Sequence, residues 1–381
     1  MKFIPNSNLK NQMLKDMNLN NINDLFSDIP KKIKFDNLDI AKGLSQQETE
    51  EKMRSISKKN KSFHELTCFT GGGLKPHYIP SIVKSVTSRG EFFTAYTPYQ
   101  AEASQGFLQS MFEYQSMIAE LTGMDVANCS LYDSVTGLSE AALMCHRVNK
   151  RQEFVIPENI SWEKKSVLKN YCKGPDIKIV EVFYDRKTGK IDISDLKDKI
   201  NSNTAAVYIE NPNYFGVFED QVKIINDVVK SNNSLFVVGV DPLSLGIVKT
   251  PGEYGADIVL GEGGCLGLPI DFGGSTLGIF SCKKEFLRQM PGRIIGLTKD
   301  VEGKKAFCMV LQTREQHIRR GRATSNICTN EGLCALAASV YLSWIGSNGI
   351  SELSKINYEN ANLLFEKICS EQLLCCSISL A

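Results

Sequence analysis

The carboxylate best placed for chemistry in this sequence belongs to Asp241, which directly follows the apolar run 235–240. A second apolar run comes next along the chain and ends in a glycine-rich turn at residues 261–266. A carboxylate at a strand end can face the protonated nitrogen of a bound heterocycle, and a lysine in the next turn could hold that ring covalently. No lysine occurs between Lys249 and Lys283, so the sequence lacks the group that would form this bond.

An aspartate after a buried strand, followed by a second strand and a glycine-rich turn, is typical of enzymes that use pyridoxal phosphate (PLP). Ser134 and Thr136 precede a predicted helix at residues 138–149. Hydroxyls and free backbone N–H groups at the start of a helix would suit a phosphate. They could equally form an ordinary N-cap, which needs only one Ser or Asp. The pattern indicates either a different kind of site or a cofactor site that has lost its chemistry.

The loop YTPYQAEASQG, residues 96–106, is the most distinctive stretch of the chain. Its aromatic rings could stack on a planar cofactor, and its amide and carboxylate groups could orient a small polar substrate. The alternative is a structural loop in which tyrosines cover the core. A histidine after the glycine run at 71–73 could exchange a proton near neutral pH, although an inert surface turn is the simpler interpretation. The candidates for an active-site cleft are Tyr96, Thr97, Tyr99, Gln100, Glu102 and His77.

Three further motifs leave their roles open. The basic run at residues 312–330 holds four arginines and could be a carboxylate or phosphate clamp, a solvated loop or a subunit contact. Cys265 could be a nucleophile, but a lone cysteine is usually buried filler. The glycine-rich stretches match neither a P-loop nor a dinucleotide-binding fingerprint. We therefore assign no catalytic residue to this chain.

Composition excludes several classes of function. The 381 residues carry a net charge of +1, which gives no electrostatic reason to expect nucleic acid or a membrane surface as a partner. The twelve cysteines show no CxxC spacing and the four histidines do not cluster, so we expect reduced thiols and no metal site. The first residues do not resemble a signal or transit peptide, and we expect no apolar run long enough to span a bilayer. We expect a cytoplasmic protein.

From about residue 100 onwards, helical and strand patterns alternate, which predicts βαβ units and an α/β fold with a mostly parallel sheet. The polar region before it carries one clear helix signal at residues 45–58, with capping-box spacing at its start. We divide the chain into an N-terminal arm and helical segment at 1–95, a large α/β domain at 96–330 and the start of a small domain at 331–381. Predicted helices are 106–124, 138–149, 165–174, 193–201, 220–233 and 330–346, with Gly123 expected to end the first of them and a further helix expected after residue 350. Predicted strands are 153–159, 177–185, 204–213, 234–241 and 256–262, with the start of another at 375–381.

Together these motifs resemble the alpha chain of the two-chain P-protein, the glycine decarboxylase of the glycine cleavage system. The resemblance runs in order along nearly the whole chain. It rests on FIPNS, GGGLKPHYIP, RGEFFTAYTPYQAEASQG, EYQSMIAELTGMDVAN, YDSVTGLSEAALM, ADIVLGEGGCLGLPIDFGGSTLGIF, MPGRIIG and QTREQHIRRGRATSNICTNEGLCALAASVYLS.

The resemblance implies a fold-type-I PLP-enzyme fold, with a mostly parallel sheet and helices on both faces. It also implies a homologous beta subunit that carries the Schiff-base lysine and binds PLP covalently, while this chain binds none covalently. The assembly would decarboxylate glycine, using PLP as an electron sink, and transfer the aminomethyl group to the lipoyl arm of H-protein. The implied degenerate cofactor pocket comprises Ser134, Thr136, Asp241, Gly263, Gly264, Ser325 and Asn326.

Two departures from the family pattern stand out: Gly321-Arg322 replaces a pair resembling Glu-Lys, and the chain ends short of other members, so we expect an incomplete C-terminal small domain. Two other functions stay open. One is an independent PLP enzyme, resembling an aminotransferase or a desulfurase, that uses Lys283 or Lys284. The other is a non-catalytic scaffold or regulatory homologue.

Overall fold

The computed structural model describes residues 6–35, 38–63, 65–67, 71–270 and 273–370. The chain divides into two compact units, Met1–Cys68 and Phe69–Ala381. The first unit contains the helices α1 (Lys10–Asp16) and α2 (Gln46–Ser57) and short 3₁₀ turns. Among its described residues, Leu14 is the only buried apolar side chain, so this unit has little core of its own.

Helix α2 confirms the helix predicted from the capping signal. The Ser45 hydroxyl accepts a hydrogen bond from the Glu48 N–H at 3.3 Å, and the Ser45 N–H donates to the Glu48 carboxylate at 2.8 Å. The side chain of each residue therefore accepts a hydrogen bond from the backbone N–H of the other, which stabilises the first turn. This signal is local, so the sequence was sufficient to find it.

The second unit is built on a seven-stranded sheet whose spatial order is β1-β7-β6-β5-β4-β2-β3. The five strands from β3 to β6 in this order run parallel, whereas β7 is antiparallel to both β6 and β1. The predicted α/β fold with a mostly parallel sheet is confirmed. The strands are β1 (Val126–Ala127), β2 (Glu153–Pro157), β3 (Lys178–Val182), β4 (Thr204–Asn211), β5 (Leu235–Val240), β6 (Ile258–Glu262) and β7 (Gly278–Cys282).

Helices cover both faces of this sheet, because the side chains of each buried strand alternate between two cores. In β5, Val237 packs into the core beneath α6 (Ser134–Asn149) and α7 (Trp162–Cys172). Phe236 and Val238 pack into the core beneath α8 (Ile193–Lys199) and α9 (Val222–Ser231). The helices of this unit are α3 (Ser81–Thr87), α4 (Gly90–Phe93), α5 (Gln105–Thr122), α6 (Ser134–Asn149), α7 (Trp162–Cys172), α8 (Ile193–Lys199), α9 (Val222–Ser231), α10 (Gln316–Arg319) and α11 (Gly332–Ser370).

A small antiparallel hairpin, which the sequence patterns did not predict, joins β8 (Ile294–Lys299) to β9 (Lys305–Val310). The Gln115 side chain on α5 holds it in place by accepting from the Ile295 N–H at 2.8 Å and donating to the Ile295 carbonyl at 3.0 Å. Only the first two residues of β8 are buried, so the strand carries too short an apolar pattern to be recognised.

Helix α11 consists of two helical segments that meet at Gly346, whose φ of 63° is not helical. This agrees with the prediction of one apolar helix and then a second. By length and composition α11 could cross a membrane, which corrects the expectation that no apolar run is long enough. Its first half nevertheless packs Leu336 and Ala338 into the same core as α5, as a core helix does. The strand expected at residues 375–381 lies outside the described residues.

Candidate functional site

The carboxyl ends of three neighbouring parallel strands meet at one edge of the sheet, which we call the carboxyl edge. Here β4 ends at Asn211, β5 leads into Asp241 and β6 ends at Glu262. Helix α6 begins at the same place, since the Ser134 N–H donates to the Glu262 carboxylate at 3.0 Å. Ligands of open parallel sheets bind at such an edge. The predicted pocket residues Ser134, Thr136, Asp241, Gly263 and Gly264 are therefore gathered in one region.

The Asp241 carboxylate is engaged by a residue that the sequence reasoning missed. One oxygen accepts from the Leu243 N–H at 3.1 Å, and the other forms an ion pair with the Lys75 ammonium. Burial is the largest single influence and would lower the pKa of Lys75, but the charge and hydrogen bond of Asp241, together with Cys265 and Glu262, raise the pKa on balance. Lys75 therefore stays a cation, and its charge compensates that of Asp241.

The Glu262 carboxylate occupies the start of α6. It accepts hydrogen bonds from the backbone N–H groups of Ser134 at 3.0 Å and Leu277 at 2.8 Å, with a longer bond of 3.3 Å from Gly264. Burial raises the pKa of Glu262, and the three backbone donors oppose that rise. The amide of Thr136, two residues after Ser134, donates to the Asp133 carboxylate at 2.6 Å. Two carboxylates therefore occupy the start of α6, where the sequence left open either a phosphate site or an ordinary N-cap, and Asp133 is the N-cap.

PLP would require three features at this edge: a carboxylate free to face its ring nitrogen, free N–H groups for its phosphate, and a lysine. Lys75 already pairs with the Asp241 carboxylate, and Glu262 and Asp133 already accept from N–H groups at the start of α6. No lysine stands anywhere in residues 250–282. The residues present do not fit PLP, although the strand ends keep the layout of a PLP pocket.

Lys283, proposed above for an independent PLP enzyme, lies at the opposite edge of the sheet. Because β7 runs antiparallel to β6, Cys282 pairs with Ile258 at the beginning of β6. There the Lys283 ammonium binds the buried Asp257 carboxylate at 2.6 Å. A five-residue strand spans roughly 15 Å, so Lys283 is about that far from the end of β6. It is not placed to form a Schiff base beside Asp241.

His77 uses both ring nitrogens to join backbone segments. Its Nδ1 lies 2.8 Å from the Lys75 carbonyl, and its Nε2 accepts from the Gly267 N–H at 3.2 Å. The second bond requires a bare Nε2, so the ring is the neutral tautomer protonated at Nδ1. His77 therefore fastens the Lys75 segment to the turn that follows β6, and its role in a cleft stays a prediction.

The loop at residues 96–106 borders a cavity of about 280 Å³ in the second unit. Arg293, of which 9% is exposed, lines this cavity and donates to the Thr97 hydroxyl at 3.1 Å and the Tyr99 hydroxyl at 2.8 Å. Glu315 balances its charge at 3.6 Å. Tyr96 also lines the cavity and leaves most of its ring exposed. Arg293 and Glu315 are further residues that the sequence reasoning did not single out.

In the contacts seen among the described residues, the remaining predicted site residues join neither the group at the carboxyl edge nor the group around the cavity. Gln100 and Glu102 belong to the loop at residues 96–106, but both are exposed and neither lines the cavity. Ser325 is a hydrogen-bond partner of the buried Glu140 on α6, and Asn326 is exposed. Within the described residues no group of His, Cys, Asp and Glu side chains could hold a metal ion. His64 and Cys68, spaced by one helical turn, lie outside those residues.

Comparison with known proteins identifies the family. The family model of the glycine cleavage system P-protein matches residues 1–375. The chain belongs to the P-protein family. It is 48% identical over 370 residues to a probable glycine dehydrogenase (decarboxylating) subunit 1 from Pyrococcus horikoshii, covering 96% of this chain and 82% of that relative.

Solved structures support the same placement. A crystal structure of the glycine decarboxylase (P-protein) of the glycine cleavage system, in inhibitor-bound form, aligns with a TM-score of 0.84 and 39% identity. The alignment covers 92% of this chain and 79% of that one. A Lactobacillus brevis glutamate decarboxylase shares the fold alone, with a TM-score of 0.61 and 10% identity over 91% of this chain and 78% of that one. The fold of this P-protein family chain is that of fold-type-I PLP enzymes.

Proposed function

We propose that this chain is subunit 1 of a two-chain glycine decarboxylase. The observation that carries the proposal is a P-protein family match over residues 1–375 with no lysine between Lys249 and Lys283, and hence none in the turn after β6 where a Schiff base would form. The first lysine after this turn is Lys283, which follows β7. Because β7 runs antiparallel to β6, Lys283 lies at the opposite edge of the sheet. A chain of this design requires a homologous subunit 2 that supplies the lysine.

PLP is the cofactor of the assembly, and subunit 2 holds it covalently. When bound, it supplies the electron sink for decarboxylation of an amino acid. The substrate is glycine, and the aminomethyl group passes to the lipoyl arm of H-protein. Eight cysteines among the described residues are free thiols, namely Cys129, Cys145, Cys172, Cys265, Cys282, Cys308, Cys328 and Cys334, which supports a reducing compartment and hence a cytoplasmic location.

This chain contributes binding surface to the assembly. The exposed ring of Tyr96 and the polar groups of Thr97 line its cavity, and Arg293 orients this loop from beneath through Thr97 and Tyr99. At the carboxyl edge, all the charges described above are paired or hydrogen-bonded within the chain. The chain therefore keeps this edge ordered and leaves proton transfer to the partner.

The test is reduction of PLP onto the protein with borohydride, followed by mass measurement, for this chain alone and with subunit 2. We expect the phosphopyridoxyl mass on subunit 2 only, and release of CO₂ from glycine only when both subunits and lipoylated H-protein are present. Lys283→Arg is the matched control and should change neither result. Stoichiometric labelling of one lysine on this chain alone would contradict the proposal. Equal CO₂ release by subunit 2 without this chain would instead favour the scaffold alternative.

A further inference from the structure

We propose that Lys75 and Glu262 are built-in substitutes for the two charged ends of a PLP molecule, and that they close this chain's pocket to the cofactor. The Lys75 ammonium takes the place of a protonated ring nitrogen at Asp241, and the Glu262 carboxylate takes the place of a phosphate at the start of α6. This inference concerns the non-covalent state of the pocket, so it does not depend on which reaction the assembly catalyses.

The signs of the charges match at both positions. A ring nitrogen that faces an aspartate is held in its cationic form, and Lys75 brings a cation to the same carboxylate. A phosphate at a helix start is an anion bound by backbone N–H groups, and Glu262 brings an anion to the Ser134 and Leu277 amides. The chain therefore supplies its own cation and anion at the two positions where bound PLP would bring a cation and an anion.

The backbone around Lys75 is arranged to deliver its ammonium to this place. Gly71, Gly72 and Gly73 precede it with φ values of 65°, 73° and 80°, a left-handed conformation that glycine adopts without a steric penalty. Beyond it, His77 accepts from the Gly267 N–H. A side chain at Gly274 would meet the Leu74 methyl at 2.8 Å, so Leu74 sits directly against that glycine. Contacts on both sides of Lys75 thus hold its segment to the loop after β6.

Glu262 could not share its position with a phosphate. Its carboxylate already receives three backbone N–H groups and is largely buried, with Asp133 close enough to raise its pKa further. A second anion at the same amides would have to displace Glu262 and would face the charge of Asp133. The side chain therefore excludes the phosphate both sterically and electrostatically.

The experiment measures equilibrium binding of pyridoxine 5′-phosphate to the full chain by calorimetry. This probe carries the ring nitrogen and the phosphate but no aldehyde, so it forms no Schiff base with surface lysines. We expect no saturable binding by the wild-type chain at millimolar probe. The double variant Lys75→Ala/Glu262→Ala should bind at least about tenfold more tightly, because it frees the Asp241 carboxylate and the amides of Ser134, Leu277 and Gly264. The exposed pair Lys84→Ala/Glu285→Ala is the matched control and should behave like wild type.

Saturable binding by the wild-type chain equal to that of the double variant would overturn the proposal. A folded double variant with no gain in binding would overturn it too. If the double variant does not fold, acetylation of the folded wild-type chain decides instead. Lys75 should then react several-fold more slowly than Lys84, because Asp241 holds its amine protonated, and Asp241→Asn should remove the difference. Equal rates in the wild-type chain would refute the ion pair.

Discussion

The two edges of the main sheet both hold an aspartate–lysine ion pair, but the pairs differ in burial. At the opposite edge, the Asp257 side chain is 2% exposed and binds both Lys230 and Lys283. Its carboxylate also accepts from the Phe236 N–H at 2.8 Å. At the carboxyl edge, the Asp241 and Lys75 side chains are 26% and 48% exposed. The carboxylate is thus buried at one edge, where its two lysines are partly exposed, and is open to solvent at the other.

This difference shows what a lysine beside a strand end can mean. Lys283 joins two strands and a helix through a buried carboxylate, so its role is stability. Lys75 compensates a carboxylate at the edge where open α/β sheets bind ligands, so its role is to satisfy a charge in a pocket. The structural and the charge-compensating role cannot be told apart by how close a lysine lies to a strand in the sequence. The direction of the strand decides, because it sets which edge of the sheet the lysine reaches.

The largest effect should come from breaking the buried pair. Asp257→Ala should lower the free energy of unfolding by roughly 2–4 kcal/mol, because two ammonium groups and one buried N–H lose their acceptor. Urea denaturation at neutral pH measures this change. Asp241→Ala is the comparison variant and should cost clearly less. Equal losses for the two variants would show that burial does not distinguish the edges.

A buried carboxylate without a lysine should behave differently from Asp257. Burial raises the pKa of Glu140 on α6 to about 7, and Arg147 and Ser325 offset only part of that rise. In the unfolded chain the pKa of Glu140 is near 4.5. At a pH between 4.5 and about 7, the Glu140 carboxyl is therefore protonated in the folded chain and ionised in the unfolded chain. Stability from this group is therefore present at low pH and is lost as pH rises towards 7.

Glu140→Gln should remove this pH dependence and raise the free energy of unfolding at pH 8 by roughly 2–3 kcal/mol. Denaturation of both proteins at a series of pH values between about 5 and 8 tests it. The control is Glu285→Gln on an exposed turn, which should follow the wild-type curve. If the free energy of unfolding depends on pH in the same way for Glu140→Gln and wild type, folding does not raise the pKa of Glu140.

A smaller effect should follow from straining the segment that carries Lys75. Gly73 has a φ of 80° and open space where a side chain would stand, so Gly73→Ala tests the backbone conformation alone. It should cost about 1 kcal/mol of stability and speed the acetylation of Lys75, because the segment shifts to relieve the strain. Gly106→Ala, also in open space but in the first turn of α5, should be neutral or stabilising by about 0.5–1 kcal/mol.

The smallest effect on stability should come from Lys75 itself. Lys75→Ala should change the free energy of unfolding by less than about 1 kcal/mol, because a half-exposed ion pair gains little over hydration of its charges. Paired denaturation curves at low and high salt measure this. A loss comparable to that of Asp257→Ala would mean that Lys75 is a structural residue rather than a charge substitute.

Much of the architecture could be predicted from local patterns. The strand signals at residues 204–213 and 234–241 correspond to β4 and β5, and the glycine predicted to end a helix, Gly123, follows α5 with a φ of 68°. The hairpin of β8 and β9 was missed, because most of β8 is exposed and its two strands pair only with each other.

The sequence by itself determined the order of helices and strands from α6 to β6, the placement of Asp241 at a strand end and the absence of a lysine in the turn after β6. Hydrophobic period and glycine position are local properties, so they can be read along the chain. Only the tertiary structure decided what fills the pocket. Lys75 lies 166 residues from Asp241, and Glu262 meets Ser134 across 128 residues. Contacts of this kind depend on the path of the whole chain, and no local pattern carries them.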